Sequence, residues 1–285
     1  MIIGVDIGGT NIRAGLVKDN KILKYISIPT QAKDGKNIVI NNILYIISKL
    51  FNKEVNAIGI GCPGPLNKKG VIIKTPNLPF KNFDLRKLVE KKFKVPVFIE
   101  NDANCFTLGE AIIGKGKNFN YVVGLTLGTG VGGGIVINKK IYRGKSFAGE
   151  LGHIVINFNG PKCSCGNNGC LEAYVSSYGV MRYAMVKTKT PKKLYEEALK
   201  GNKKAVDTFK EMGFYLGIGI INIVNILNPE IVVIGGQLSN AWKFFKDSMF
   251  RVTKNALTKV KIVKARFDHA IYGAAMLPNT YFLKP

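Results

Sequence analysis

Cysteine is sparse in this sequence and odd in number, five among 285 residues, which argues against the paired framework of a secreted disulfide protein. Histidine is scarcer, at two, and acidic residues number 18 against 42 lysines and arginines. No basic segment or small-residue cleavage site precedes the first apolar run. Met1 leads directly into IIGVDIGG, so no secretory signal is expected and a reducing cytoplasm suits the thiols. A clean apolar span is also missing. The nearest candidate, residues 216–236, is interrupted by Asn222, Asn225, Asn228, Pro229 and Glu230, and reads as a buried helix followed by a buried strand, not a membrane crossing.

Arginine is the minor basic residue. The net charge of +24 comes overwhelmingly from scattered lysines, whereas base readout and bidentate phosphate contacts favour arginine. Specific nucleic-acid binding is therefore not expected, although attraction of polyanions such as nucleotides is. With 46% hydrophobic residues, the chain can bury a large core in one or two domains.

Strands alternate with helices along the chain, the pattern of an α/β protein with mixed sheets. Strands are expected at 2–7, 12–18, 22–28, 55–61 and 95–99, and helices at 37–51, 82–93 and 102–113. The pattern restarts at Tyr121, where strand, glycine-rich turn and strand repeat the opening arrangement about 120 residues later. The turns VDIGGTN and LTLGTGVGGG resemble each other, which points to two related halves serving one ligand. A helical region covers 176–227 with breaks near Thr188–Pro191 and Gly201, followed by strand 231–234, helix 241–256, strand 261–265 and a terminal helix from 271. The expected joint is the polar segment 114–120, dividing a domain at 1–115 from one at 116–270, with the helix at 271–285 packing back on the first.

The densest chemistry lies at 149–172, GELGHIVINFNGPKCSCGNNGCLE. Cys163, Cys165 and Cys170 follow a C-x-C-x4-C spacing, and His153 lies ten residues upstream. Three thiolates and an imidazole form a closed tetrahedral zinc set, and Gly166 and Gly169 let the loop turn around the metal. Cys163 and Cys165 are too close in sequence to bridge comfortably. Glu150 and Glu172 flank the cluster.

Gly8, Gly9, Thr10 and Asn11 form a turn whose backbone amides suit phosphate oxygens, and Asp6 before it could hold hydrated Mg2+. The motif is neither a Walker A loop nor G-x-G-x-x-G. A plain glycine hairpin is the alternative, and the second turn at Gly128, Thr129 and Gly130 favours paired phosphate clamps around a nucleotide. Gly235 and Gly236 end a buried strand. They either permit close packing or admit an adenine ring. Asp102, in ENDAN, is either a helix cap, a position that Asn101 suits as well, or a general base, and local sequence favours the cap.

Together DIGGTN, GCPGP, TPNLP, ENDAN, LGTGVGGG, GELGH, CSCGNNGCLE and NPEIVVIGG resemble the ROK family of repressors, open-reading-frame proteins and sugar kinases, in order over nearly the whole chain. The resemblance implies a two-domain actin-like ATPase fold, ribonuclease H-like, with an interdomain active-site cleft and a zinc loop at 153–170. It implies ATP-dependent phosphorylation of a hexose, O6 of glucose foremost, with fructose, mannose or N-acetylmannosamine as alternatives. Asp102 corresponds to the general base; Gly64, Asn77, Asn101, Glu150, His153 and Glu172 to sugar contacts. Asp6, Gly8, Gly9, Thr10 and Asn11 correspond to the first phosphate site, Gly128, Thr129 and Gly130 to the second, and Gly235 and Gly236 to the adenosine site. The implied cofactors are ATP, Mg2+ and structural Zn2+, and the implied assembly is a homodimer or homotetramer. ROK repressors carry a DNA-binding module of roughly 60–90 residues ahead of the first phosphate turn. Five residues precede Asp6 here, so an enzyme is expected in preference to a sugar-sensing regulator.

Overall fold

The computed structural model describes residues 1–266 and 269–281. The strands and helices of the first stretch are β1 (Ile2–Ile7), β2 (Asn11–Lys18), β3 (Lys21–Pro29), α1 (Lys36–Ser48), β4 (Ala57–Cys62), β5 (Ile72–Lys74), β6 (Lys81–Phe83), α2 (Leu85–Phe93), β7 (Val97–Asn101) and α3 (Asp102–Ile112). The second stretch holds β8 (Tyr121–Leu127), β9 (Val131–Ile137), β10 (Lys140–Ile141), α4 (Glu172–Val175), α5 (Ser177–Arg182), α6 (Pro191–Leu199), α7 (Lys203–Leu227), β11 (Ile231–Gly235), α8 (Trp242–Thr253), β12 (Lys261–Lys264) and α9 (Ala270–Tyr281).

The chain forms two compact units. One comprises 1–120, 134–149 and the described residues from 266 onward; the other comprises 121–133 and 150–265. Residues 134–149, expected with the second domain, group with the first. Of the terminal helix expected at 271–285, residues 282–285 lie outside the described residues.

Both large sheets share one strand sequence. The first runs β3-β2-β1-β4-β7 and the second β10-β9-β8-β11-β12, each with its third, second, first, fourth and fifth strand in that order. The duplication read from the two glycine turns is thus a duplication of topology. In the first sheet β1 pairs antiparallel with β2 and parallel with β4, which pairs parallel with β7. Such central strands are covered on both faces and become continuously apolar, as β4 is in AIGIGC, all six residues buried.

One face of the first sheet carries a lane of small residues. Gly15, Gly4 and Gly59 are register partners across β2, β1 and β4. A Cβ on Gly4 would lie 2.2 Å from the Ile271 carbonyl oxygen, and one on Gly59 would lie 1.7 Å from that of Ala274. Helix α9 therefore rests directly on the backbone of the strands. On its opposite flank, a Cβ on Gly273 would meet the Cys105 carbonyl oxygen of α3 at 1.7 Å. Val39, Ile43, Ile46 and Ile47 of α1 complete the core of this unit with Ile3, Val5, Ile58 and Ile60.

Helix α7 organises the second unit. By length and composition it is long and apolar enough to cross a membrane, with 44% of its most apolar window buried in the protein. Its buried residues Ala205, Phe209, Met212, Leu216, Ile220 and Val224 fall on one stripe, the pattern of a core helix. Gly213 and Gly217, one turn apart, admit α8: added Cβ atoms would lie 2.3 Å from the Phe245 carbonyl oxygen and 2.7 Å from the Val252 Cβ. Asn228 ends the helix in the left-handed conformation at φ 42°, and β11 follows Pro229.

The helix expected at 82–93 starts later, at Leu85. Residues 81–83 instead pair with β5 in a short hairpin, and Asp84 caps α2 by accepting from the Lys87 amide at 3.0 Å. The hairpin was missed because its strands are three residues each, too short for an alternating pattern to register.

Candidate active site and metal site

In the first unit the carboxyl ends of three parallel strands bring the candidate residues together. Asp6 of β1 is level with Gly61 of β4, and Gly61 with Glu100 of β7. The carboxyl edge of parallel strands is where α/β sheets bind ligands.

The turn after β1 is closed by Gly8 N–H donating to the Asn11 carbonyl at 2.9 Å. Thr30 braces it, its hydroxyl donating to the Gly8 carbonyl at 2.6 Å and its amide to the Thr10 carbonyl at 2.8 Å. Asn77 lies against it, since a Cβ on Gly9 would be 3.1 Å from the Asn77 Cβ. Asp6 is buried, and its Oδ2 accepts from Arg13 Nη2 at 2.5 Å and Nε at 3.1 Å. Arg13 was not anticipated. The available signal was the hairpin register, in which Asp6 and Arg13 stand directly opposite.

At the end of β7 the division of labour between neighbours becomes clear. Asn101 is the cap of α3, its Oδ1 accepting from the amides of Ala103 at 2.9 Å and Asn104 at 3.2 Å. Asp102 is the first residue of the helix, with Oδ1 2.9 Å from the Ala103 amide. Of the two residues suited to the cap position, Asn101 takes it. Asn101 Nδ2 also donates to the Gly64 carbonyl at 3.4 Å, joining the GCPGP loop to this corner.

Glu100 holds the corner from behind. It is buried, and accepts from the Asn101 amide at 2.9 Å, from Asn104 Nδ2 at 3.1 Å and from Arg143 Nε at 2.5 Å. Sequence reasoning passed over both Glu100 and Arg143, which lie 43 residues apart. Cys62 and Cys105 sit beneath. Burial pushes both thiols well above their ordinary pKa, and the nearby Asp102 and Asp6 carboxylates push each further.

The second unit carries the other turn. Gly128 N–H donates to the Gly130 carbonyl at 2.9 Å, and the Gly128 carbonyl accepts from the Ser177 amide at 2.8 Å, a closure like that at Gly8. Thr129 lies between them. A Cβ on Gly128 would meet nothing within 4 Å, leaving the turn's outer face open to a ligand. Gly235 ends β11 opposite Thr126. Gly236 answers to packing: its φ is +83°, and a Cβ there would lie 2.4 Å from the Leu127 carbonyl oxygen.

The metal-ligating set is assembled. Ligand atoms of His153, Cys163, Cys165 and Cys170 all lie within 4.8 Å of one another. His153 Nδ1 is 3.7 Å from Cys163 Sγ, and Cys165 and Cys170 sulfurs are 3.6 Å apart. The last two separations match the edges of a tetrahedron with metal–sulfur bonds of about 2.3 Å. The other imidazole nitrogen, Nε2, lies 4.0 Å from Glu150 Oε2. Burial, then the neighbouring Glu172, raise the Glu150 pKa, and His153 opposes them.

Glu172 is turned inward. Its Oε2 accepts from the Val131 amide at 2.9 Å, and Oε1 from the hydroxyls of Ser164 at 2.8 Å and Tyr178 at 3.3 Å. One carboxylate thus ties the second glycine turn to the metal loop. Gly130 has to be glycine for this, since a Cβ would stand 2.5 Å from Glu172 Oε2. From behind, a Cβ on Gly219 of α7 would lie 2.6 Å from Leu171, so the loop is seated on the unit's central helix.

With this geometry established, the comparisons with known proteins are informative. The ROK family profile matches residues 2–279. The chain is 37% identical over 250 residues to the xylose repressor of Bacillus spizizenii, covering 83% of this chain and 64% of the repressor, just under two thirds of that protein's length. It is 37% identical over 262 residues to the glucokinase of Thermotoga maritima, covering 84% of this chain and 83% of that enzyme. A ROK family glucokinase structure from Streptomyces griseus, in complex with glucose and AMPPNP, has a TM-score of 0.85 at 30% identity, covering 97% of this chain and 98% of that one.

Proposed function

The chain belongs to the ROK family, and from that premise we propose that it is an ATP-dependent sugar kinase transferring the γ-phosphate to a hexose hydroxyl, with O6 of glucose the foremost acceptor. The observation that carries this reading is the carboxyl edge of β1, β4 and β7, where Asp6, the GCPGP loop and Asn101-Asp102 converge beside a glycine turn.

In this reading Asp102 accepts the proton of the attacking hydroxyl, a contribution of about 10²–10⁴ in rate for a positioned base. Asn101, Gly64 and Asn77 of the first unit carry groups suited to sugar hydroxyls, as do Glu150 and His153 of the second. Glu172 acts chiefly by holding Val131 and Ser164. The amides of Gly8–Asn11 and of Gly128–Gly130 receive phosphate oxygens, and Gly235 borders the adenosine, with Gly236 packed on Leu127 behind it. Asp6, whose charge Arg13 shares, would hold Mg2+ entering with ATP, which would supply charge neutralisation. His153, Cys163, Cys165 and Cys170 would hold Zn2+, whose four positions are then all protein ligands, so its part is structural. The assembly is a homodimer or homotetramer, which light scattering on the purified protein measures.

A sugar-responsive regulator is the second reading, favoured by the xylose repressor's 37% identity. One experiment divides them: glucose, mannose, fructose and N-acetylmannosamine are offered with ATP, and ADP release is followed. ADP formation with a hexose, lost in Asp102→Asn, supports the kinase. Sugar binding with no ADP release supports the regulator.

A further inference from the structure

A cavity lies in the first unit at the amino end of β7, the end opposite Asp102. Its volume is about 460 Å³, within the 300–1,000 Å³ typical of small-molecule sites. Four cations line it: Lys68, Lys69, Arg86 and Lys87. The two lining acids are already engaged. Asp84 Oδ1 caps α2 through the Lys87 amide at 3.0 Å while its Oδ2 pairs with the Lys87 ammonium at 3.8 Å, and Glu90 Oε1 accepts from the Val97 amide at 3.2 Å.

Arg86 gives the cavity direction. Its Nε is buried and, among the described residues, has no hydrogen-bond partner. A buried donor without a partner is destabilising and calls for an acceptor that is not part of the chain. The turn carrying the two lysines is fixed. Asn67 Oδ1 accepts from the amides of Lys69 at 2.9 Å and Val71 at 3.1 Å, so Lys68 and Lys69 are presented from a rigid base. Gly70 closes the turn at φ +76°, and a Cβ there would lie 3.0 Å from Ile99 and 4.0 Å from Arg86 Nε. The absent side chain leaves room beside the guanidinium.

We propose that this cavity binds a small phosphorylated metabolite. The guanidinium and the two turn lysines take the phosphoryl oxygens, and Val71, Val97 and Ile99 provide an apolar wall for the carbon skeleton. The binding site is separate from the residues assigned to catalysis, and does not depend on which reaction the protein performs.

The test is a titration of the full-length chain with glucose 6-phosphate and with inorganic pyrophosphate, followed by amide NMR, with glucose as the neutral control. The expected result is saturable 1:1 shifts at Lys69, Gly70, Val71, Arg86 and Lys87 with at least one phosphorylated probe and none there with glucose. Lys68→Gln/Lys69→Gln and, separately, Arg86→Gln should each weaken binding at least about tenfold. Lys187→Gln/Lys189→Gln, which removes the same charge from the second unit, should leave it unchanged. Absence of shifts at these amides with both phosphorylated probes overturns the proposal. So does equal weakening by the two lysine pairs, because that is the behaviour of a diffuse basic surface. Shifts confined to residues 8–11 and 128–131 would report the proposed catalytic site and likewise overturn a second one.

Discussion

The Glu172 carboxylate accepts the Val131 amide at 2.9 Å across 41 residues of sequence, and its second oxygen takes the Ser164 hydroxyl between two metal-ligating cysteines. Glu172→Ala removes the acceptor from these two donors and from the Tyr178 hydroxyl. It should lower stability by about 1–3 kcal/mol and raise the KM for ATP as well as for sugar. Ser164→Ala, which removes one neutral donor, should cost about 1 kcal/mol. Thermal unfolding with steady-state kinetics measures both. An unchanged ATP KM in Glu172→Ala would show that the link does not support the turn.

Asp102→Asn keeps the volume and the start of α3 but removes the proton acceptor. Phosphoryl transfer should fall by about 10²–10⁴, while the sugar dissociation constant, measured by calorimetry, stays within a few-fold. Near-normal turnover would exclude Asp102 as the base.

Metal removal should expose a defined set of thiols. In the metal-loaded protein Cys163, Cys165 and Cys170 should resist a thiol reagent, although Cys165 is exposed. A chelator should release the exposed Cys165 to modification first, and the buried Cys163 and Cys170 as the freed loop opens. Cys62 and Cys105 should stay unreactive until unfolding, because both are buried and their raised pKa suppresses the thiolate. Structural zinc in small peptides is bound by about 10–16 kcal/mol, so the chelated protein should also lose sugar affinity. Five thiols reacting together on chelation would mean that the whole fold depends on the metal.

Arg13→Ala leaves the buried Asp6 carboxylate without the partner seen at 2.5 Å. The expected cost is about 1–3 kcal/mol in denaturant unfolding. The KM for ATP should shift with Mg2+ concentration more steeply than in the wild type, because Asp6 then depends on Mg2+ for compensation. A parallel Mg2+ dependence in the two proteins would remove Asp6 from the metal's neighbourhood.

Gly59→Ala tests the seating of α9. The new Cβ would lie 1.7 Å from the Ala274 carbonyl oxygen, which is backbone and can yield only by moving the helix. Overpacking of this kind costs about 1–3 kcal/mol or more, so calorimetry should record a Tm lower by several degrees. Gly128→Ala has open space and should leave Tm nearly unchanged.

The parts legible from sequence were those whose physics is local. A C-x-C-x4-C spacing with a histidine upstream identifies a ligand set because the loop must close on itself, and the four ligand atoms do converge. Two similar glycine turns announced a duplication, and the two sheets carry it in identical strand order. Periodicity placed α1 and α7 because a helix buries a stripe of its own residues, whereas α3 is buried on all sides.

Tertiary structure alone decided the partners. Capping passed to Asn101 because its side chain reaches two amides, which leaves Asp102 at the strand edge. Glu100 meets Arg143, and Glu172 meets Val131, over separations of 43 and 41 residues. The glycine lane under α9 needs three strands in register before it exists. Charge pairing and backbone contact act through distance in space, and a linear pattern records only distance along the chain. The sequence alone therefore determined which groups this protein possesses, and the fold determined which of them face one another.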